Sequence, residues 1–355
     1  MTFSHLLTRH ASINTQLMHF PGSRYMGSKQ AILPFIYDVV KNLEFTTVLD
    51  ACSGSGAVSY LFKAMDKAVT SNDFLRFCFH TSQACVANSV ESLTQDDIEK
   101  ILSPHPYAQD FIARTFHGLY FTDAENALLD TLVSHILQIT SPFKQSLAFA
   151  SLTYACLRRR PRGIFTYTGV RYDDGRRDLQ ISLEQHFREA VALFNASVFD
   201  NRQHNTALNC DIFHLPQPTH YDLVYIDPPY VSPHSDNDYT RRYHFVEGLT
   251  RYWDGLEIME ATKTKKFQRI LSPFDSKKTI YPAFHALFEQ FKDAIIVVSY
   301  SSNGIPSKEE LLDILATYKS DVSVYECDHR YSFGTHNHKI GNMQNEVKEY
   351  LFVGR

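Results

Sequence analysis

The stretch Thr46-Thr47-Val48-Leu49-Asp50-Ala51-Cys52-Ser53-Gly54-Ser55-Gly56 predicts a β-strand that ends in a glycine-rich loop. The apolar-periodic run Ala57-Val58-Ser59-Tyr60-Leu61-Phe62 predicts a helix directly after it. A further strand, Ala68-Val69-Thr70-Ser71-Asn72, ends in Asp73, where an acidic residue accepts hydrogen bonds from ribose hydroxyls. Glycines let a backbone approach a ligand closely. This order predicts an α/β sheet with a nucleotide-type site. A Rossmann site for NAD is the alternative, although Ser59 and Tyr60 stand where its third glycine would be expected.

A second strand end carries the residues with the clearest chemical meaning. The run Tyr221-Asp222-Leu223-Val224-Tyr225-Ile226 is short and almost continuously apolar, which predicts a buried parallel strand. Asp227-Pro228-Pro229-Tyr230 follows directly, and two prolines cannot continue a sheet. We therefore expect a carboxylate, a rigid carbonyl and an aromatic ring at the carboxyl end of a strand, the edge where open α/β sheets bind ligands.

This group of residues suits a planar amine. The exocyclic amine of a nucleobase is a poor nucleophile, because its lone pair is delocalised into the ring. Asp227 and the Pro228 carbonyl are two acceptors for its two hydrogens, and Tyr230 offers a face for stacking. A base reaches such a pocket only from a single strand or by flipping out of a duplex. The structural alternative is a strand end with turn-forming prolines and a packed tyrosine.

Together the motifs resemble the S-adenosylmethionine-dependent N6-adenine DNA methyltransferases. The branch is the one in which the cofactor motif precedes the catalytic tetrapeptide, which includes Dam-like and restriction-modification enzymes. Upstream, Arg24-Tyr25-Met26-Gly27-Ser28-Lys29 is similar to its amino-terminal motif, which contacts the cofactor's methionine part. Asn209-Cys210-Asp211-Ile212 is similar to the segment that holds the cofactor adenine. The resemblance covers most of the chain and implies a Rossmann-like, doubly wound, mostly parallel sheet with a helical insertion domain.

The resemblance also implies residue roles. The target adenine is held by Asp227, Pro228, Pro229 and Tyr230. S-adenosylmethionine is bound by Tyr25, Met26, Lys29, Asp50, Ser53, Gly54, Gly56, Asp73, Asp211 and Ile212. The implied reaction is site-specific methyl transfer to N6 of an adenine flipped out of double-stranded DNA, in a restriction-modification system. A cognate restriction endonuclease encoded nearby is the expected partner.

Two details qualify this assignment. Ala51-Cys52 stands where the family often has an aromatic residue or a Pro-Phe pair, which affects packing at the methionine end. Methyl transfer needs no metal and none is expected, since His329 with His336 and His338 lacks a strong ligand spacing.

Two other functions stay open from the residues alone. One is a methyltransferase acting on another planar amine: cytosine N4, an RNA base or a protein amide. Only the family resemblance favours adenine over cytosine, because both present exocyclic amines. The other is a non-catalytic nucleic-acid-binding module with a methyltransferase fold, and the intact Asp227, Gly54 and Gly56 argue against it.

The strand–helix alternation stops after Asp73 and resumes near Asn209. We expect residues 1–74 and 207–355 to form a discontinuous catalytic domain that binds S-adenosylmethionine. Residues 75–206 would form a helical insertion, the candidate target-recognition domain. Capping patterns at Thr122 and Ser182 predict two of its helices. The glycine-containing stretch from Arg158 to Asp178 predicts a hairpin or extended loops.

Arginines in the insertion and after Tyr230 are the candidate DNA contacts. A basic helix end can contact phosphates, and a hairpin with Arg, Tyr and Thr can enter a groove. The alternative is a helical cap with ordinary surface ion pairs. The candidates are Arg158, Arg159, Arg160, Arg162, Arg171, Arg176, Arg177, Arg241 and Arg242. The polar loop Ser232 to Asn237 is either a lid over the target base or a plain surface loop, whereas Trp253 is expected in the core.

Composition agrees with a globular enzyme. The 355 residues suffice for one large or two modest domains, and 44% hydrophobic content is ordinary. The net charge of −4 does not itself indicate a nucleic-acid binder, but a cleft needs only a local positive surface. The six cysteines form no C-x-x-C pair, which favours reduced thiols. No signal peptide or membrane span is apparent, so we expect a cytoplasmic protein.

Overall fold

The computed structural model describes residues 11–169, 175–216, 220–231, 238–330 and 346–355. The strands of these residues form one seven-stranded sheet in the order β3-β2-β1-β4-β5-β7-β6. Their bounds are β1 Thr47–Asp50, β2 Ala68–Asn72, β3 Thr206–Leu208, β4 Leu223–Ile226, β5 Ile295–Ser301, β6 Val322–Arg330 and β7 Glu346–Gly354.

The sheet is mostly parallel, as the sequence predicts. Strands β3, β2, β1, β4 and β5 run parallel to their neighbours. Only β7 runs antiparallel, between β5 and β6. All four residues of β4 are buried, because a central parallel strand is covered on both faces.

The described residues contain thirteen α-helices. They are α1 Ala11–Met18, α2 Leu33–Val40, α3 Ala57–Ala64, α4 Arg76–Ser82, α5 Gln95–Leu102, α6 Phe111–Thr115, α7 Asp123–Ile136, α8 Pro142–Arg159, α9 Arg177–Gln180, α10 Leu183–Ser197, α11 Tyr239–Arg251, α12 Ile280–Gln290 and α13 Lys308–Ala316. Short 3-10 turns and one π-helical turn also occur, including Lys29–Ile32, Gln83–Ala87 and Pro273–Asp275.

Alternate strand residues divide the core into two apolar layers. Tyr225 and Val297 face a layer that includes α2, α3, α8 and α11. Val224 and Ile296 face the opposite layer, which includes α12 and α13. The period of two along each strand produces this division.

Helices α4 to α10 occupy the chain between β2 and β3. Thr122 and Ser182 begin α7 and α10, and each side chain accepts the backbone N–H three residues on, as predicted. The predicted hairpin is absent from the described part of the stretch from Arg158 to Asp178. That part holds the end of α8, a 3-10 turn at Pro161–Gly163, extended loop and the start of α9.

Helix α11, Tyr239–Arg251, directly precedes Trp253. Asp238 caps its amino end, and Tyr252 ends it in the left-handed conformation. Trp253 is buried against Gly248, so its predicted core position is confirmed.

The strand order places the ligand-binding edge. The chain leaves β1 toward β2 and β3, and later returns to β4 on the other side of β1. Open α/β sheets form a crevice where the strand order reverses, outside the carboxyl ends of the strands. The ends of β1 and β4, Asp50 and Ile226, therefore flank the expected site.

Candidate active site

One continuous cavity lies at this edge of the sheet. The residues assigned to catalysis or cofactor binding from the sequence converge on it. Those that line it are Tyr25, Lys29, Asp50, Ser53, Gly54, Asp73, Asp211, Ile212, Asp227, Pro228, Pro229 and Tyr230. The two remaining residues, Met26 and Gly56, do not line the cavity. Met26 donates its N–H to the Tyr243 hydroxyl at 2.6 Å, and Gly56 caps α3 in the left-handed conformation.

The glycine loop is held open by its neighbours. Gly54 has φ +51°, and a Cβ there would lie 2.8 Å from the Tyr25 ring. The Gly54 N–H donates to Asp73 Oδ2 at 2.7 Å, and Asp73 Oδ1 accepts from Leu75 N–H at 2.8 Å. Asp73 therefore fastens the loop, a role that the sequence does not reveal.

The cavity wall is acidic. Burial raises the pKa of Asp50 to about 7, against the hydrogen bond from Ser59, which lowers it. Burial also raises the pKa of Asp73 to about 6, although the hydrogen bonds from the backbone N–H groups of Leu75 and Gly54 lower it. Buried carboxylates with raised pKa values favour a cationic ligand, which would restore their ionised form.

Asp227 at the end of β4 lies beside a lysine. Lys29 Nζ is 2.9 Å from Asp227 Oδ1, and the Lys29 side chain is only 7% exposed. Burial raises the pKa of Asp227 to about 6, although the charge and hydrogen bond of Lys29 lower it and Glu349 raises it further. The sequence suggested a cofactor role for Lys29, whereas the structure pairs it with the carboxylate assigned to the target base.

Aromatic rings border the Asp227 side of the cavity. The Tyr230 ring packs edge-on against Tyr300 at 5.5 Å. Tyr239 lines the same cavity, and the Tyr25 ring stacks on both Tyr239 and Tyr243, with centroid distances of 5.6 Å and 5.2 Å. Flat aromatic surface beside a carboxylate suits a nucleobase.

The residues present fit a cationic ligand of nucleoside type. The Gly54 backbone borders the cavity without a side chain, and Asp50 Oδ1 is buried with no hydrogen-bond partner among the described residues. Asp211 caps the turn Ile212–His214, which places the buried apolar Ile212 on the cavity wall. A buried carboxylate, an unobstructed backbone and an apolar side chain thus border the same cavity.

The segment Ile270–Asp275, which the sequence analysis missed, also lines the cavity. Arg269 pins it with ion pairs to Asp238 at 3.1 Å and Asp275 at 3.2 Å. The segment has no periodic pattern, and tertiary packing alone brings it to the site.

The arginine predictions fare unevenly. The prediction that Arg160 contacts DNA is wrong, because this residue is only 1% exposed. Its guanidinium donates to the backbone carbonyls of Tyr120, Ile164, Tyr167 and Gly169 at 2.9 to 3.2 Å. Arg159 is largely buried and pairs with Glu125 at 2.7 Å.

The remaining candidates stay predictions. Arg158 is 38% exposed beside Asp178. Arg176, Arg177 and Arg241 are exposed and Arg242 is partly so. The side chain of Arg162, the whole of Arg171 and the proposed lid at residues 232–237 lie outside the described part of the chain.

The described residues contain no group of three or more His, Cys, Asp or Glu side chains placed to hold a metal ion. His336 and His338 lie outside these residues. None of the described helices combines the length and apolar character that crossing a bilayer requires.

Comparison with known proteins adds the family. A family model described as D12 class N6 adenine-specific DNA methyltransferase matches residues 25–314. The match begins at Tyr25 and spans both the glycine loop and Asp227-Pro228-Pro229-Tyr230, so it includes every element that lines the cavity.

Several modification enzymes are similar along nearly all of this chain. Type II methyltransferase M2.HphI of Haemophilus parahaemolyticus is 28% identical, over 94% of this chain and 97% of that protein. Modification methylase LlaI of Lactococcus lactis subsp. lactis is 25% identical, over 92% and 54%. Modification methylase StsI of Streptococcus sanguinis is 26% identical, over 93% and 51%. The chain spans about half the length of these last two relatives.

Proposed function

The chain belongs to the D12 class N6 adenine-specific DNA methyltransferases, and on that basis we propose the methyl donor, the residue roles and the biological setting. The donor is S-adenosylmethionine. The acceptor is N6 of an adenine flipped out of double-stranded DNA at a specific sequence. The setting is the modification half of a restriction-modification system. One observation carries the proposal: a single cavity joins the glycine loop to Asp227-Pro228-Pro229-Tyr230.

S-adenosylmethionine, when bound, supplies an electrophilic methyl group on a positively charged sulfur. Asp50, Asp73 and the Gly54 backbone hold the cofactor on the glycine-loop side. Asp211 and Ile212 hold its adenine, and Tyr25 and Lys29 border its methionine end. The raised pKa values of Asp50 and Asp73 support this assignment, because a cation in the cavity favours both carboxylates in their ionised form.

Asp227 and Pro228 act on the target amine. The Asp227 carboxylate and the Pro228 carbonyl accept the two N6 hydrogens, which localises the nitrogen lone pair for attack on the methyl group. Positive charge develops on the nitrogen as the bond forms, and the buried carboxylate stabilises it. The methyl–sulfur bond of the donor would break as the new bond forms, so the donor would leave as a neutral thioether, and the methylated amine then loses one proton to water. Most of the rate comes from orientation, since the reacting methyl group is already electrophilic.

Tyr230 supplies the stacking face for the flipped base. Tyr300 packs edge-on against the Tyr230 ring, which limits its rotation. A base held between a rigid ring and two acceptors presents N6 in one direction, which is the requirement for in-line transfer.

DNA binding is assigned to the face around the cavity mouth. Arg241 and Arg242 lie in the first turn of α11, directly after Tyr239 on the cavity wall. Arg176 and Arg177 begin α9 and are exposed. We assign residues 1–74 and 207–355 to the catalytic domain and residues 75–206 to target recognition. A cytoplasmic location stays a prediction.

A methyl-transfer assay tests the reaction. Labelled S-adenosylmethionine is offered with unmethylated DNA, RNA and protein, and digested nucleosides are separated. Labelled N6-methyladenine in DNA is the expected product. Label in N4-methylcytosine, RNA or protein would refute the assigned acceptor. No transfer at all, despite cofactor binding, would favour a non-catalytic DNA-binding module.

The restriction-modification setting has its own test. The printed names of the relatives, Type II methyltransferase and modification methylase, support it. Mapping the methylated adenines should give one short recognition sequence. DNA methylated there should resist a restriction endonuclease of the same sequence specificity, and cleavage at the unmethylated rate would contradict the proposal.

A further inference from the structure

Arg24 connects the amino-terminal motif with the recognition segment, defined here as residues 158–169 and 175–178. Its Nη1 atom donates to the carbonyls of Leu157, Arg158 and Arg160 at 3.3, 3.1 and 3.1 Å. Its Nη2 atom pairs with Asp178 Oδ2 at 2.5 Å. One guanidinium therefore closes the carboxyl end of α8 and also grips the start of α9.

These contacts use chemistry that only an arginine provides. The last carbonyls of a helix lack intrahelical partners, and a cation there is favoured. The Arg24 side chain is 17% exposed, so its charge is largely out of water. Burial lowers the pKa of Arg24, and Asp178 opposes that shift. Gly163 packs directly on it, since a Cβ there would lie 3.1 Å from Arg24 Cβ.

The recognition segment is anchored at both of its described ends. The buried Arg160 holds the Tyr167 and Gly169 carbonyls on the amino side at 2.9 Å each. Arg24 holds Asp178 on the carboxyl side. Arg160, which the sequence suggested for DNA binding, thus fixes the base of the segment instead.

The backbone of the same motif reaches the active site. The Tyr243 hydroxyl donates to the Arg24 carbonyl at 3.3 Å and accepts the Met26 N–H at 2.6 Å. Tyr25 packs against Gly54 of the glycine loop. Lys29, five residues after Arg24, pairs with Asp227. A short piece of chain therefore touches the recognition segment, the cofactor side and the target-base side.

We propose that Arg24 is a positioning residue that couples DNA binding by the recognition segment to the cofactor pocket and Asp227. The inference rests on the proposed function, because it assumes that this segment contacts DNA. DNA that shifts the base of the segment must move Arg24, and through it Tyr25 and Lys29. Coupling of this kind is reciprocal, so cofactor and DNA should tighten each other's binding through this contact.

The test measures a coupling ratio, which is the dissociation constant of a cofactor analogue without DNA divided by its dissociation constant with DNA. The dissociation constant of sinefungin, an unreactive analogue of S-adenosylmethionine, is measured by calorimetry with and without a duplex carrying the mapped site. We expect the duplex to tighten binding at least about fivefold in the unmodified protein. Asp178→Asn and Arg24→Lys should bring this ratio to within about twofold of one. The constant without DNA should change less than about threefold, because neither residue lines the cavity.

Arg188→Lys is the matched control. Arg188, like Arg24, is a partly buried arginine in an ion pair, but its partners are Glu99 and Glu184 and it does not line the cavity. It should leave the ratio unchanged. Thermal unfolding identifies variants that fail to fold. If Arg24→Lys fails to fold, Asp178→Asn carries the test, because it leaves the three carbonyl contacts of Arg24 in place.

Three results would overturn the inference. They are a ratio near one in the unmodified protein, an unchanged ratio in both variants, or an equal loss in Arg188→Lys. If the unmodified protein binds no DNA at all, the proposed function fails as well. If it binds and methylates DNA while the ratio is near one, only the coupling fails.

Discussion

At the scale of single residues, the environment of Asp227 sets its chemistry. An exposed aspartate is ionised throughout the neutral range and holds water tightly. Burial raises the pKa of Asp227 to about 6, and Lys29 at 2.9 Å limits that rise. The lysine thus keeps a desolvated carboxylate ionised near neutral pH, which is the form that the proposed role as acceptor for the N6 hydrogens requires.

The first prediction concerns pH. The ionised carboxylate is the active form, so the rate should be full well above pH 6 and fall as the pH drops through about 6. Lys29→Met removes the charge that lowers this pKa. The fall in rate on the acid side of the pH–rate profile (the acid limb) should then move to higher pH by about one pH unit or more. The measurement is the single-turnover methylation rate against pH at saturating cofactor and DNA.

Lys29→Arg is the control for this prediction, because it keeps the positive charge. Its acid limb should stay close to that of the unmodified protein even if its rate is lower. An acid limb that lies at the same pH in all three proteins would show that Lys29 does not set the titration of Asp227.

At the scale of elements, the glycine loop between β1 and α3 depends on backbone geometry and on a distant carboxylate. Gly54 needs positive φ and leaves no room for a Cβ beside Tyr25. Asp73, beyond the next strand, accepts its N–H at 2.7 Å. The loop's shape is therefore set by the strand–helix–strand unit as a whole.

The second prediction tests that shape. Gly54→Ala should destabilise the fold by about 1–3 kcal/mol and weaken cofactor binding about tenfold or more, because the new methyl group displaces Tyr25. Calorimetry and thermal unfolding measure the two effects. Gly118→Ala is the control, since Gly118 also has positive φ, +65°, but open space around it.

Gly118→Ala should lose similar backbone stability and keep its cofactor affinity. Equal weakening of cofactor binding in both variants would mean that general destabilisation, rather than the loop, governs affinity.

Elements also show what a sequence can reveal. The strands β1 and β4 and the caps at Thr122 and Ser182 were predictable, because burial and capping leave local patterns. The buried position of Arg160 was not predictable, because its carbonyl partners depend on how a loop folds around it. Arg24 contacts residues 133 to 136 positions away, and the Ile270–Asp275 segment reaches the cavity only through tertiary packing.

At the scale of the whole molecule, charge distribution must reconcile a net charge of −4 with DNA binding. Six aspartates line the cavity, and they suit the cationic cofactor proposed for it: Asp50, Asp73, Asp211, Asp227, Asp238 and Asp275. Arg241 is exposed and Arg242 partly exposed in the first turn of α11, whose first two residues, Tyr239 and Thr240, line the cavity. Local positive surface around an acidic pocket can bind a phosphate backbone in spite of the net charge.

The third prediction tests this face. Arg241 is 52% exposed near the mouth, so Arg241→Ala should weaken DNA binding and reduce the slope of log affinity against log salt by about 0.9. Arg355→Ala is the control. Arg355 is 48% exposed and follows Gly354, which pairs with Ile296 near the start of β5, away from the site edge.

Arg355→Ala should leave the salt slope unchanged. If both variants change it equally, DNA contacts are not confined to the cavity face.

The most direct test of the account is single-turnover methylation by Asp227→Asn at saturating cofactor and DNA. The amide keeps the size of the side chain but loses its charge, and presents one acceptor where the carboxylate had two. We predict a rate about 10²- to 10⁴-fold lower, with dissociation constants for cofactor and DNA within about threefold of the unmodified protein. A rate within about threefold of the unmodified protein, or a parallel loss of cofactor binding, would contradict the role assigned to Asp227.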